Sequence, residues 1–390
     1  MNERTAVIVG AGVGGPVLAL WLRRLGIDVR VLEGRSGPAL AEGAFLGVAP
    51  NGLHALAGLG LASEVMAKGH VCRAFEFFNH GGRSLGGFDR RDDERQFGWP
   101  LTMVRRSELH GLLSEAASRE GVVIEYGRQA TKLTEVGERV RLECADGSTL
   151  DADFVIGCDG LRSATRTTAL PASPAPGFSG LLDVGGFARV KTLPFEPGVN
   201  VMVFGVRGFF GAFTTTTNET WWFHNGPGEV GSVTNEGLRA RLHELHHEDP
   251  AWIRELIDAT PTLLGPWGLY ELDAMPAWSR GRVCLMGDAA HAMSPSAGQG
   301  ASMAFEDALV LAQCLRDVPE VPRAFQRFEQ LRRPRVDAIM MAARQTSNGK
   351  APGAVGRWVR DRMLPLVLPY AGRAQAKAYS HRLDFEQRLT

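Results

Sequence analysis

The tightest constraint on this chain's fold sits at its start. Ala6-Val7-Ile8-Val9 reads as a buried strand and gives way at once to Gly10-Ala11-Gly12-Val13-Gly14-Gly15. A helical pattern follows from Pro16 to Leu25, with Gly26 placed to end it, and a second strand from Asp28 to Leu32 closes on Glu33. In such a unit Gly10 makes the tight turn, and Gly12 leaves a pyrophosphate room against the backbone. Gly15 lets helix and strand pack closely, while Val13 and Gly14 complete the loop. Glu33 ends the second strand where a carboxylate accepts ribose hydroxyls. Strand, glycines, helix, strand and acid together define a dinucleotide-binding unit.

A second stretch serves a ligand in the same manner. The apolar run Val283 to Met286 leads into Gly287-Asp288-Ala289-Ala290-His291, then Pro295 and Gly298-Gln299-Gly300, and a helical pattern from Ala301 to Leu315. Asp288 can accept hydrogen bonds from sugar-type hydroxyls. The amides from Gly298 to Ala301 lie at a helix N-terminus, which favours negative charge, and the glycines let a flat ligand approach the backbone. Between these stretches, the strand Asp153 to Gly157 runs into Cys158-Asp159-Gly160 with Ser163 and Arg166, which reads as a further phosphate-facing turn. Gly43 to Gly52 reads as irregular, either a plain connection or backbone lying against a flat ring. Ser107 is placed to cap a helix running to Arg119, and Arg105 and Arg106 precede it, either solvated or reaching a phosphate or sugar. The acid at position 33 argues for FAD or NAD rather than NADP at the resident site.

At 390 residues the chain is long enough for two domains. Lys+Arg and Asp+Glu each number 43, so no nucleic-acid footprint is present. No apolar run nears the roughly 20 residues that span a bilayer, and no signal-peptide pattern precedes the first strand. The five cysteines are scattered and odd in number, which fits reduced thiols in a cytoplasmic protein.

Residues 73–83 alternate into a hairpin turn, and the α/β pattern is expected to resume at Leu101 to Val104. After Pro171, Pro174 and Pro176 the chain reads as mostly β to Trp278. Its strands are expected over Phe187 to Lys191, Val199 to Val206, Phe209 to Thr217 and Thr220 to His224. Trp221, Trp222, Phe204, Phe209, Phe210 and Phe213 could cover an aromatic ligand or serve as core. His243-Glu244-Leu245-His246-His247 matches a zinc motif, but Leu238, Leu242 and Leu245 mark an ordinary amphipathic helix, so no metal is expected. A long helix from Phe325 to Gln345 precedes a terminal segment in which Trp358, Met363 and Leu366 alternate with basic residues. That segment is expected to pack across both domains, with a membrane-surface helix as the alternative.

The fingerprint with Glu33, the Cys158-Asp159-Gly160 turn, and Gly287-Asp288 with Pro295, Gly298-Gln299-Gly300 and Glu306-Asp307-Ala308 resemble, in this order, the para-hydroxybenzoate hydroxylase family of single-component FAD monooxygenases. The length resembles its short branch, without a thioredoxin-like tail. The resemblance implies an α/β fold: a Rossmann-like FAD-binding domain of glutathione reductase type (1–72, 101–175 and 279–330), an inserted, mostly antiparallel substrate domain (73–100 and 176–278), and C-terminal helices bridging them (331–390).

It further implies that Glu33 binds the adenosine ribose, Arg106 the ribityl or phosphate region and Asp159, with Gly160, the pyrophosphate turn. Asp288 would hold the ribityl chain, and Pro295 with Gly298, Gln299, Gly300 and Ala301 would line the isoalloxazine. Where the family usually has Glu-Arg, this chain has Glu33-Gly34-Arg35, leaving the role of Arg35 open. NADPH or NADH would reduce FAD, which would activate O2 at its C4a position to hydroxylate, epoxidise or Baeyer–Villiger oxidise an aromatic or polyketide-like small molecule. Such chemistry serves secondary metabolism, antibiotic tailoring or antibiotic inactivation. The alternatives are a halogenase (whose Trp-x-Trp-x-x-Ile-Pro stretch Trp221-Trp222 does not match), a reductase, or a flavoprotein that sequesters an aromatic drug. No catalytic acid–base residue is assigned; His224 and His291 are the only candidates. A monomer or homodimer without stable membrane insertion is expected.

Overall fold

A computed structural model describes residues 4–38, 43–231, 234–347 and 353–389. Its organising sheet has six strands in the spatial order Ser279–Arg280, Val283–Leu285, Phe154–Gly157, Thr5–Val9, Asp28–Glu33 and Val123–Tyr126. All pairings are parallel except the first, which is antiparallel. The central strands are apolar on both faces because helices cover one face, while Val7, Val9, Leu32 and Val155 on the other pack against Ala130, Val140 and Leu142 of a three-stranded antiparallel sheet, Ala130–Val136, Arg139–Cys144 and Thr149–Ala152. Gly14–Arg24, Arg106–Arg119 and Gly300–Asp317 contribute to one core with Ile8, Val31, Ile156, Leu285 and Trp21. Parallel pairing brings Val9, Glu33, Gly157 and Leu285 to the same edge, so motifs far apart in sequence meet there.

A second sheet of seven strands runs Leu264–Glu271, Gly177–Ala188, Thr220–Pro227, Phe209–Thr214, Val199–Phe204, Ala74–Asn79 and Ser84–Asp89. Only the pair Val199–Phe204 with Ala74–Asn79 is parallel. One face packs Val201, Val203, Phe210 and Trp222 against Leu242, Ile253 and Ile257 of two helices, Asn235–Leu245 and Ala251–Ala259. Along the other face, aromatic rings follow one another at contact distance: Phe88–Phe77 at 5.5 Å, Phe77–Phe204 at 6.3 Å, Phe204–Phe209 at 5.0 Å and Phe209–Phe223 at 6.1 Å. Phe223 then meets Phe45 at 6.2 Å.

The structure departs from the sequence expectations at several elements. Residues 43–52 are not simply irregular: Phe45–Val48 is a strand paired with Thr102–Arg105, and glycine at position 47 had masked its alternation. The strand expected from Leu101 to Val104 is Thr102–Arg105 and leads into its helix as expected, but it pairs in a separate three-stranded sheet with Phe45–Val48 and His70–Val71 and not in the parallel one. Ser107 lies inside its helix, which starts at Arg106 behind an extended Arg105 with no side-chain cap. The strand expected at Phe187 begins at Gly177, and Leu264–Glu271 was missed; glycines in both weaken the local signal, and partners supply the order.

The terminal helix, Ala354–Tyr379, lies along the edge strand Ser84–Asp89, with Leu368 near Gly86 and Phe88 near Gly372. The chain then returns to the first sheet, where Phe385 stacks on Trp21 at 4.4 Å and Gln313 donates to the carbonyl of Asp384 at 2.7 Å.

Candidate functional site

The carboxyl edge of the parallel sheet forms a cradle. Gly10 has φ +104°, and a Cβ there would lie 2.5 Å from the Cys158 carbonyl oxygen. At Gly15 a Cβ would lie 2.0 Å from the oxygen of Gly10. These two glycines are demanded by the protein itself. Gly12, Gly160, Gly298 and Gly300 differ: a Cβ at any of them would meet nothing within 4 Å. Their backbones border open space, which is what an extended ligand needs. Val13 and Gly14 are half-buried at the start of a helix with no side-chain cap, so its first amides face outward.

Glu33 is buried and ends the second strand, where its carboxylate accepts from the amides of Ala11 at 2.8 Å and Arg35 at 3.0 Å. Burial opposes its charge, yet the Arg35 guanidinium at 3.0 Å and those amides hold its pKa below the usual value. Arg35 thus sits on Glu33, across the exposed Gly34. His110, unremarked in the sequence, donates from Nε2 to the carbonyl of Ala11 at 2.6 Å and pins the fingerprint loop. Only the folded chain brings residue 110 beside residue 11.

Asp159 accepts from the Ser163 hydroxyl at 2.5 Å and from the Thr165 amide at 2.9 Å. The expectation that Ser163 and Arg166 face a phosphate is not met. Ser163 caps the helix Ala164–Ala169, and Arg166 is buried, donating to the carbonyls of Ala289 at 3.0 Å and Leu161 at 2.7 Å. Arg166 therefore ties the Asp159 turn to the Asp288 turn. Asp288 is exposed at the head of a short helix, Asp288–His291.

Pro295 opens a single turn that ends at Gly298 with φ +58°. Gln299 precedes the helix Gly300–Asp317, which has no side-chain cap, and Ala301 lies in its first turn. Gln299 is buried; its Oε1 accepts from Asn51 at 2.9 Å, whereas its Nε2 and the Oδ1 of Asn51 have no partner among the described residues. Two orphaned polar atoms beside an uncapped helix start fit a flat polar heterocycle there. Beneath them lies a buried ionic cluster. Arg332 donates to Glu306 at 2.6 Å and to Asp307 at 2.7 Å. Asp307 also accepts from the Gly287 amide at 3.0 Å and His291 at 2.6 Å, and Glu306 from Asn51 at 2.7 Å. Burial works against both carboxylates, but Arg332 and its neighbours hold their pKa values below the ordinary range.

Neither histidine candidate reaches the cradle's open space. His291 is buried on Asp307 and Trp278. His224 faces the helical side of the second sheet, where its Nδ1 bonds Nε2 of His246 at 2.8 Å and His246 bonds Asp249 at 2.7 Å. His246 is thus consumed inside the fold while His243 turns out to Asp258 at 2.7 Å. Arg106 is exposed and lies against Gly43. Its neighbour Arg105 instead pairs with Glu219 and lies 4.0 Å over the Phe187 ring; Trp221 donates to the same Glu219 at 2.8 Å.

Strand order, glycine cradle and aromatic second sheet define a flavin-binding protein of the two-sheet kind. Residues 3–343 match the FAD binding domain family. The chain is 32% identical over 352 residues to 3-amino-4-hydroxybenzoate 2-monooxygenase of Streptomyces cremeus, covering 87% of this chain and 85% of that protein. It is 28% identical to aurachin C monooxygenase/isomerase of Stigmatella aurantiaca, covering 93% and 94%. The fold resembles that of Klebsiella pneumoniae HpxO complexed with FAD and uric acid, with a TM-score of 0.88, 23% identity and 96% of each chain covered. The chain belongs to the FAD binding domain family, and within it to the single-component FAD-dependent monooxygenases of para-hydroxybenzoate hydroxylase type.

Proposed function

We propose that this monooxygenase oxygenates a bulky, apolar aromatic small molecule such as a polyketide, in secondary metabolism or in antibiotic tailoring or inactivation. The observation behind the substrate class is the row of rings from Phe88 through Phe77, Phe204, Phe209 and Phe223 to Phe45, whose strand leads out of the Gly43 segment beside Arg106. Such a face favours a flat apolar ligand by area and by ring–ring geometry. FAD, when bound, supplies the redox chemistry, taking hydride from NAD(P)H and activating O2.

The chain's own residues bind and orient. Gly10 to Gly15 and Asp159-Gly160 hold the pyrophosphate, and Glu33 with Arg35 the adenosine end. Asp288 and Arg106 meet the ribityl and phosphate region, and Pro295 and Gly298 to Ala301 lie against the ring system. The outward amides at Gly300 and the helix dipole favour the negative charge of the reduced state. The aromatic face excludes water from the reacting centre.

On this reading, residues 1–72, 101–175 and 279–330 serve the cofactor, residues 73–100 and 176–278 serve the substrate, and 331–390 bridge them. The free cysteines, four of them buried, support a cytoplasmic setting. A monomer or homodimer is proposed. The test is to purify the protein, record its visible spectrum and screen aromatics for stimulated NAD(P)H oxidation in labelled dioxygen. Label in the product supports the proposal. A flavin-loaded protein whose NAD(P)H use no apolar aromatic stimulates overturns the substrate class.

A further inference from the structure

We propose that the terminal helix, Ala354–Tyr379, docks the protein on the surface of an anionic lipid bilayer. At about 3.6 residues per turn, Trp358, Val359, Met363, Leu366, Val367 and Tyr370 fall on one side of it. All six are exposed, Trp358 by 58%, Leu366 by 64% and Tyr370 by 68%. The opposite side holds the buried Asp361, Leu368 and Tyr379. Chains normally bury so long an apolar stripe or use it.

The charges choose the occupant. Arg362, Arg373 and Lys377 lie on the same exposed side. Arg362 sits 3.8 Å over the Trp358 ring and Arg373 5.7 Å over Tyr370, so cations and aromatic rings share one level. The helix has one carboxylate, Asp361, which is buried on Asn79 at 2.8 Å and Arg360 at 2.8 Å. A second copy packed on this stripe by a two-fold axis would set cations near cations with no acid on the stripe to offset them. An anionic bilayer offers the complementary charge and an apolar layer beneath it. Beside the stripe, a cavity of about 310 Å³ between helix and hairpin is lined by Arg83, Arg357, Arg362 and His80 together with Trp358 and the carboxylate of Asp361, which Asn79 and Arg360 already engage, so cations outnumber acids around it. No described helix is long and apolar enough to cross a membrane, so the helix lies flat.

The helix's inner side touches the aromatic row, with Gly372 against Phe88 at its end and Arg360 4.8 Å over Phe204 further in. That contact gives an apolar substrate a short route from lipid to site; this clause alone rests on the proposed function.

Co-sedimentation with phosphatidylcholine vesicles, with and without phosphatidylglycerol, tests the docking without reference to turnover. The expected result is binding to the phosphatidylglycerol vesicles that salt weakens. Binding should fall about fivefold per cation removed, so by roughly 100-fold or more in Arg362→Glu/Arg373→Glu/Lys377→Glu. Trp358→Ser/Leu366→Ser/Tyr370→Ser should abolish it while leaving the circular dichroism and flavin content unchanged. Absence of vesicle binding at low salt overturns the proposal. So does a dimer in solution that the serine variant converts to monomer without any lipid binding, since the stripe would then belong to a second copy.

Discussion

Replacing Arg332 with leucine tests whether the buried ionic cluster holds the flavin cradle in shape. The guanidinium is 2% exposed and lies between Glu306 at 2.6 Å and Asp307 at 2.7 Å. Removing one partner of a buried pair typically costs about 3–5 kcal/mol, because the other charge is stranded. Here Arg335 still donates twice to Glu306 and His291 still bonds Asp307, so the lower end, about 3 kcal/mol, is expected. Against a total stability of roughly 5–15 kcal/mol, that is a large share.

The sign with pH follows from the same contacts. In the parent chain Asp307 is held below its ordinary pKa despite burial, so its contribution is present at neutral pH and lost only on acidification. Without Arg332, burial dominates and the carboxyls take up protons more readily, so the variant's deficit should shrink between pH 8 and pH 5. Urea unfolding followed by tryptophan fluorescence at several pH values measures this. A deficit under about 1 kcal/mol, or one that does not shrink on acidification, refutes the reasoning. Because Asp307 also receives the Gly287 amide, flavin retention should drop in the same variant.

Three further outcomes follow from the cradle. Gly15→Ala should fail to accumulate as folded protein, since its Cβ meets Gly10, while Gly12→Ala should fold within about 1 kcal/mol of the parent yet retain little FAD; equal behaviour of the two on a stability gel and in the visible spectrum would contradict the assignment. Asp288→Ala, at an exposed side chain, should leave the melting temperature unchanged and weaken FAD binding, as read by titration of the apoprotein. Burial lowers the pKa of His110 and His224, so the unfolded chain binds more protons below their ordinary 6.5, and stability should fall as pH drops through it. Asp93, lifted to about 6 by burial, acts in the opposite sense below that value. Melting curves between pH 7.5 and 6 isolate the histidines, and His110→Asn should flatten the slope.

The cradle was legible because its rules are local. A strand that must turn sharply at Gly10, a helix start that must approach the turn at Gly15, and an acid closing the next strand are all fixed by spacing along the chain. The same holds for Asp288 and the glycines from 298 to 300. Where a signal depended on partners, it failed. Phe45–Val48 and Gly177–Ala188 are strands through pairing, and their glycines hide them from any window of sequence.

Alternation on Thr220–Pro227 announced two faces but could not say which looked toward the site; helices 235–245 and 251–259 decided that by claiming Trp222 and His224 for the core. His110, Asn51 and Arg332 had no local mark at all. Each works on a residue far along the chain, at Ala11, Gln299 and Asp307, and only closure of the tertiary structure brings them together. Sequence therefore determined the backbone of the glycine cradle, whose geometry is a matter of steric allowance at single residues. The fold decided which side chains hold that backbone in place and which face of the second sheet the helices leave uncovered, because both depend on burial and on partners distant in sequence.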